Sequence, residues 1–287
     1  MKIMRYLIGA AGLFALLAVI LISCQKTIDS NPNITPAGQS KLSIFLTDGP
    51  YDYQKVLIDI QGIRVKVDTC EKEEDEDCDD YKDSLERECE VWDTLDIRAG
   101  VYDILNLQNG IDTLLASGFY PSGEIEKIQF ILGNNNSVMV DSVVHPLKLR
   151  NNKDYIYVKI RHEDLDSITN NNFVLYLDFD VARSIQYVNG SYWLKPYLKP
   201  FGKHSTGEIE GKVRPVQAHG MIKAYNSTDT AFARPDHHEG EFKIRGLKPG
   251  TYDVWIEGRN GYRDSTIRNV SVKRGDDTKL GTIILQK

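Results

Sequence analysis

From Lys41 onward, apolar residues recur at every second position, a spacing that buries one face of an extended strand and no face of a helix. Leu42, Ile44 and Leu46 alternate with Ser43 and Thr47, and Val56, Ile58 and Ile60 alternate with Leu57 and Asp59. At Gly62 the phase slips by one residue and Ile63, Val65 and Val67 carry it on, which predicts a bulge at the glycine. Val91–Leu95 reads as the next strand, so residues 70–90 form an insertion in the hairpin between the two.

Further strands are predicted at 127–132, 138–140, 155–160, 173–179 and 193–198. One short helix is predicted over Gly110–Ala116, stopped by Ser117 and Gly118, and Asp180 is placed to cap a helical turn through Val181, Ala182 and Arg183. Residues 202–207 read as a linker, and seven short strands fit behind it, at about 208–213, 220–225, 230–233, 241–245, 251–257, 267–273 and 280–285. The expected fold is mainly β. A larger β-rich domain with one or two short helices occupies residues 41–201, and a small seven-stranded β-sandwich occupies residues 206–287.

The first forty residues have a different texture. Lys2 and Arg5 precede a stretch from Tyr6 to Ile22 without a charge, the basic and apolar regions of a secretory signal. The stretch is close to the ~18 apolar residues that span a bilayer, but it ends at Leu21-Ile22-Ser23-Cys24, which resembles a bacterial lipobox, and a polar segment follows at once. The resemblance implies cleavage of a signal peptide over residues 1–23 and lipid on Cys24. Each lipid methylene is worth ~0.8 kcal/mol of membrane affinity, and two or more chains anchor stably. Residues 25–40 read as a flexible tether, too poor in apolar side chains for a core. Gln25 stands where an aspartate retains lipoproteins at the inner membrane, which implies the outer membrane of the cell envelope, facing either the periplasm or the medium.

The net charge of −6 is unevenly placed. Between Cys70 and Val91 there are twelve acidic residues against Lys72, Lys82 and Arg87, and no basic stripe suggests nucleic acid. With Cys24 committed to lipid, Cys70, Cys78 and Cys89 remain, all in or beside the acidic segment. An oxidising compartment permits one disulfide among three alternative pairs. Position favours Cys70 with Cys89, at the two ends of the insertion.

Two resemblances follow from the residues. Leu-Thr-Asp-Gly-Pro at 46–50, Val-Leu-Ile-Asp-Ile at 56–60, Tyr-Asp-Ile-Leu-Asn-Leu-Gln-Asn-Gly at 102–110, Gln-Phe-Ile-Leu-Gly-Asn-Asn-Asn at 129–136, Leu-Asp-Phe-Asp-Val-Ala-Arg-Ser-Ile at 177–185 and Leu-Lys-Pro at 194–196 occur in that order. Together they resemble the bacterial lipoprotein domain DUF4382, which implies no particular activity. The acidic, cysteine-bearing insertion is not part of that pattern. Gly207–Val213, Gly240–Val254 and Val270–Asp276 are similar to the prealbumin-like, carboxypeptidase-regulatory-type sandwich often grouped with carbohydrate-binding-like folds. That kinship implies binding or structural support by analogy only.

Candidate chemistry is sparse. Asp236, His237, His238 and Glu239 crowd four positions, but adjacent side chains seldom converge on one metal and the stretch reads better as a surface turn. Glu73, Glu74, Asp75, Asp77, Asp79 and Asp80 are candidates for weak cation binding, with Ca²⁺ the ion that suits them, although the order of a formed calcium loop is missing and a solvated loop accounts for them equally. Asp178 and Asp180 share a strand face, and capping and pairing with Arg183 explain them without catalysis. No nucleophile elbow, phosphate loop or metal motif is present, so no cofactor is expected. Aromatic residues crowd two stretches: Tyr187, Tyr192, Trp193, Tyr197 and Phe201, then Tyr252, Trp255 and Tyr262, of which alternation sends about half into a core. The expectation is a non-catalytic envelope lipoprotein that binds or scaffolds, with a glycan or another envelope protein as partner. Its alternatives are an adhesive subunit resembling lipidated two-sandwich fimbrial proteins, and a weak divalent-cation binder.

Overall fold

The computed structural model of the protein describes residues 35–70, 89–150 and 153–287. The chain builds β1 (Gln39–Gly49), β2 (Lys55–Asp68), β3 (Glu90–Thr94), β4 (Asp96–Ile97), β5 (Gly100–Asp103), β6 (Thr113–Pro121), β7 (Glu124–Leu132) and β8 (Ser137–Val140). It continues through β9 (Val143–Leu149), β10 (Tyr155–Lys159), β11 (Leu165–Thr169), β12 (Asn172–Asp180), helix α1 (Val181–Ser184), β13 (Ile185–Val188), β14 (Ser191–Leu194) and β15 (Leu198–Phe201). The last part holds β16 (Gly207–Arg214), β17 (His219–Tyr225), β18 (Thr230–Ala233), β19 (Glu241–Leu247), β20 (Gly250–Gly258), β21 (Ser265–Val272) and β22 (Asp277–Ile284).

The period-two pattern places the first core. Leu42, Ile44 and Leu46 of β1 and Val56, Ile58 and Ile60 of β2 are fully buried, facing one another across two sheets. One sheet runs β11-β12-β1-β6-β4 with β15 also on β12; the other runs β10-β7-β2-β8-β9-β14-β13, with β3 and β5 also on β2. β1 and β12 are parallel, with Leu42 opposite Phe173 and Leu46 opposite Leu177. In β2 the buried row changes parity at Gly62, where pairing with β7 shifts register, and a Cβ at that position would meet Ile131 Cδ1 at 3.2 Å. This is the bulge expected at that glycine.

The helix expected over Gly110–Ala116 is not formed. Residues 113–121 are strand β6, antiparallel to β1, and the short helical turn lies upstream as a 3-10 segment at Ile104–Leu107. The register of β1 and β6 shifts between Ile44 and Phe45, leaving Leu115 as an extra residue. Leu115 and Ala116 are therefore both buried in succession, and that consecutive apolar pair imitates a helical stripe. Gly118, taken as a helix stop, lies within the strand, where a Cβ would press to 3.2 Å from Leu95 Cδ2.

The final seven strands form a three-stranded sheet, β19-β16-β22, and a four-stranded sheet, β18-β17-β20-β21. Their inward residues, including Ile209, Val213, Ile222, Phe242 and Val254, make a second core separate from the first. Thr35–Lys287 is nonetheless one compact unit, and the contacts between the cores show why. Asp166 of β11 accepts the backbone N–H groups of Lys203 (2.7 Å) and His204 (3.0 Å), so residues 202–206 form a pinned turn. Arg245, its side chain only 7% exposed, donates to Gly110 O and Asp112 Oδ2 at 3.1 Å and to Glu208 Oε1 at 3.0 Å, and its guanidinium lies over the Tyr176 ring. Asp52 is held by both Arg234 and Arg259.

Candidate functional site

Two of the sequence motifs meet at Asp59 and serve architecture. This buried carboxylate accepts the Gln61 amide and the Asn135 N–H at 3.0 Å, while the Asp59 N–H donates to Asn136 Oδ1 at 2.8 Å. Gly133 passes so close that a Cβ there would meet Asp59 Oδ2 at 2.1 Å. The glycine and the asparagines after it are thus a turn built around one aspartate.

A second meeting point opens outward. A crevice of about 870 Å³ lies between the two cores. One wall comes from the end of β1 (Gly49, Pro50), from Asp178 and Asp180 of β12, from Arg183 of α1, from the 3-10 turn at His162–Asp164, and from Tyr197 and Lys199. The facing wall comes from the β17–β18 turn, Asn226–Thr230, from Lys248 and Pro249, and from Arg274. β12 and β15 pair with Asp178 opposite Lys199, so the strand register itself sets carboxyl beside ammonium.

Lys199 joins the walls by donating to Asp229 Oδ1 at 2.8 Å, and the second Asp229 oxygen accepts Tyr252 Oη at 3.1 Å. Burial opposes the Asp229 charge, yet Lys199 and these hydrogen bonds hold its carboxyl below the usual carboxylate range. Asp178 goes the other way. Burial pushes its carboxyl up to about 6, with Lys199 opposing the rise and Asp180 adding to it. Asp180 accepts the Arg183 backbone N–H at 2.9 Å and pairs with its guanidinium at 3.2 Å, the cap of α1. The Arg183 guanidinium in turn lies 4.8 Å over the Tyr197 ring, which is 44% exposed.

Asp48, in the motif at 46–50, sits behind this wall on the core face of β1. It is buried, and neither oxygen has a hydrogen-bond partner; the Gln108 amide is near enough to ease the charge without closing a bond. Burial first, then Asp178 and Asp180, raise its carboxyl well above the usual range.

The other residues singled out from the sequence are dispersed. Cys24 and the acidic candidates Glu73, Glu74, Asp75, Asp77, Asp79 and Asp80 lie outside the described residues. Cys70 and Cys89 are joined by a disulfide with Cα atoms 5.4 Å apart, at the mouth of the β2–β3 hairpin. Among the described residues, the one grouping of potential metal-ligand atoms is Asp68 with these two disulfide sulfurs. Asp236 turns inward on its own loop, accepting N–H groups of His238, Glu239 and Glu241 at 2.6–2.8 Å, and these bonds hold its carboxyl at about 2. Phe201 and Tyr252 are core residues, whereas Tyr187 is 63% exposed at the edge of the nine-stranded sheet. Lys159, Arg161, Lys199, Asp229, Lys248 and Arg274 carried no signal in the sequence, because the crevice draws them from five separate segments.

Among solved structures, the chain is similar to a type II cohesin–X-dockerin complex of Acetivibrio cellulolyticus, at 25% identity over 28% of this chain and 56% of that one, with a TM-score of 0.22. It is also similar to a shaft pilin of Lactobacillus rhamnosus GG (10% identity, 86% of this chain and 97% of that one, TM-score 0.24). A minor pilin of Streptococcus agalactiae gives 11% identity, 85% and 95% coverage, and a TM-score of 0.23. No curated protein matches. The model of one family does match, over residues 39–196, which take in every strand from β1 to β14 and the turn around Asp59, and the chain therefore belongs to the family described as Domain of unknown function (DUF4382).

Proposed function

We propose that the protein is a non-catalytic binding module of the bacterial cell envelope, anchored through lipid on Cys24, with the crevice between its two cores as the binding site and carbohydrate as the ligand class. The observation that carries this is the crevice itself. At about 870 Å³ it has the size of a small-ligand cleft, and it offers an exposed Tyr197 ring on one wall and the Ser227 and Thr228 hydroxyl groups on the facing wall. A ring for a sugar to stack on, faced across the crevice by groups that hydrogen-bond hydroxyls, suits a saccharide. Asp180 is occupied by its cap and ion pair, which supports binding over acid–base work. Affinity electrophoresis through gels containing a panel of polysaccharides tests the reading. At least one should retard the wild-type protein and retard Tyr197→Ala less; equal mobility of both in every gel defeats it. For the anchor, Cys24→Ala should leave the protein unprocessed or free of the membrane fraction.

A second reading, an adhesive or assembly subunit, is favoured by β13. It is the terminal strand of the nine-stranded sheet and exposes Tyr187 and Val188. Assembly by strand pairing predicts concentration-dependent oligomers that proline at position 187 abolishes.

A further inference from the structure

Six cations and five carboxylates line the crevice, and the cations left without a partner say which saccharide it suits. Three of its cations are committed: Arg161 to Glu163 (2.8 Å) and Asp164 (3.0 Å), Arg183 to Asp180 (3.2 Å), and Lys199 to Asp229 (2.8 Å). Those pairs also consume every lining carboxylate except the buried Asp178, which accepts the Gly49 N–H and lies opposite Lys199. Three further cations line the same crevice: Lys159, Lys248 and Arg274, all exposed. None of the three side chains has a hydrogen-bond or ion-pair partner among the described residues. They come from both walls, Lys159 from the end of β10 and Lys248 and Arg274 from the sandwich.

Charges of one sign converging on a concave site concentrate ligands of the opposite sign. We infer that the crevice takes an acidic saccharide, one bearing carboxylates as a uronic acid does, with Lys159, Lys248 and Arg274 meeting the carboxylates and Tyr197 meeting a ring face. An acidic peptide shares the charge but has no use for the exposed ring and the hydroxyl-rich turn at Asn226–Thr228. The inference rests on the crevice being the saccharide site proposed above.

Isothermal titration of the whole protein with oligogalacturonate, with a neutral galacto-oligosaccharide of equal length and with oligoglutamate separates the cases. The oligogalacturonate should bind, should weaken as salt rises because exposed charges are screened, and should lose roughly tenfold or more in affinity in Lys248→Glu/Arg274→Glu, since charge pairs across a binding surface govern specificity. Both substitutions are at exposed positions, and an unchanged thermal transition confirms an intact fold. A neutral oligosaccharide binding as tightly as the uronate, with Tyr197→Ala weakening both, overturns the acidic specificity and leaves the crevice as the saccharide site. Oligoglutamate binding as tightly as the uronate overturns the saccharide class. Absence of binding by both saccharides overturns the inference together with the reading beneath it.

Discussion

Lys199 and Asp229 bind across the junction of two cores, Nζ to Oδ1 at 2.8 Å, with the aspartate side chain only 9% exposed. Thirty residues separate them in sequence, yet the pair ties the walls of the crevice together.

Lys199→Met should therefore loosen the junction and destabilise the protein by about 1–3 kcal/mol, the cost of leaving a buried charged acceptor without its partner. The sign with pH follows from the direction of the shift. The Asp229 carboxyl is held below its ordinary 3.8, so its contribution is fully present above that value and is lost as pH falls through the lowered one. Urea unfolding from neutral to acid pH should show an acid limb that is shallower in Asp229→Asn.

Asp48 carries the opposite sign. Its carboxyl is raised well above 3.8, so the folded state binds a proton that the unfolded chain has released, and stability falls as pH climbs from that ordinary value through the raised one. Asp48→Asn keeps the neutral shape without the ionisation. It should match the wild type near pH 4 and exceed it at neutral pH. Equal denaturation midpoints at neutral pH would contradict this account of the buried carboxyl.

Gly133→Ala tests the turn around Asp59. A Cβ would fall 2.1 Å from Asp59 Oδ2, and a buried acceptor held by the turn has little room to move. A loss of about 1–3 kcal/mol is expected, measured by chemical denaturation.

The Cys70–Cys89 disulfide spans 19 positions, and closing a loop of that size is worth roughly 3 kcal/mol in the chain-entropy model. Reduction should lower the thermal transition without abolishing it, because Lys66–Trp92 and Val67–Val91 pair independently of the link. Peptide mapping without reductant should recover Cys70 joined to Cys89.

What was legible in the sequence was what a short window can hold. All seven strands of the sandwich fall where alternation and turn residues put them, and the slip at Gly62 announced its own bulge. Leu115 misled because a bulge that buries two consecutive residues leaves no period-two trace, and β1, which imposes the bulge, lies seventy residues upstream. The crevice was invisible for a related reason. Tyr197 was one aromatic among eight, and nothing near Lys248 or Arg274 in sequence shows that they face Lys159. Register and topology bring them together, and both are long-range properties.

The parallel pairing of β1 with β12 also bears on how the protein is made. One edge of β1 is covered by β6, but on the other Leu42 finds its neighbour only at Phe173, and contacts of such separation close slowly because the intervening chain must first be ordered. A chain delivered from its N-terminus holds β1 with an open apolar edge until β12 has emerged. Throughout that interval the strand is a template for pairing with neighbouring nascent chains. Among the described residues, the first strand to appear is thus among the last to have both its edges sealed.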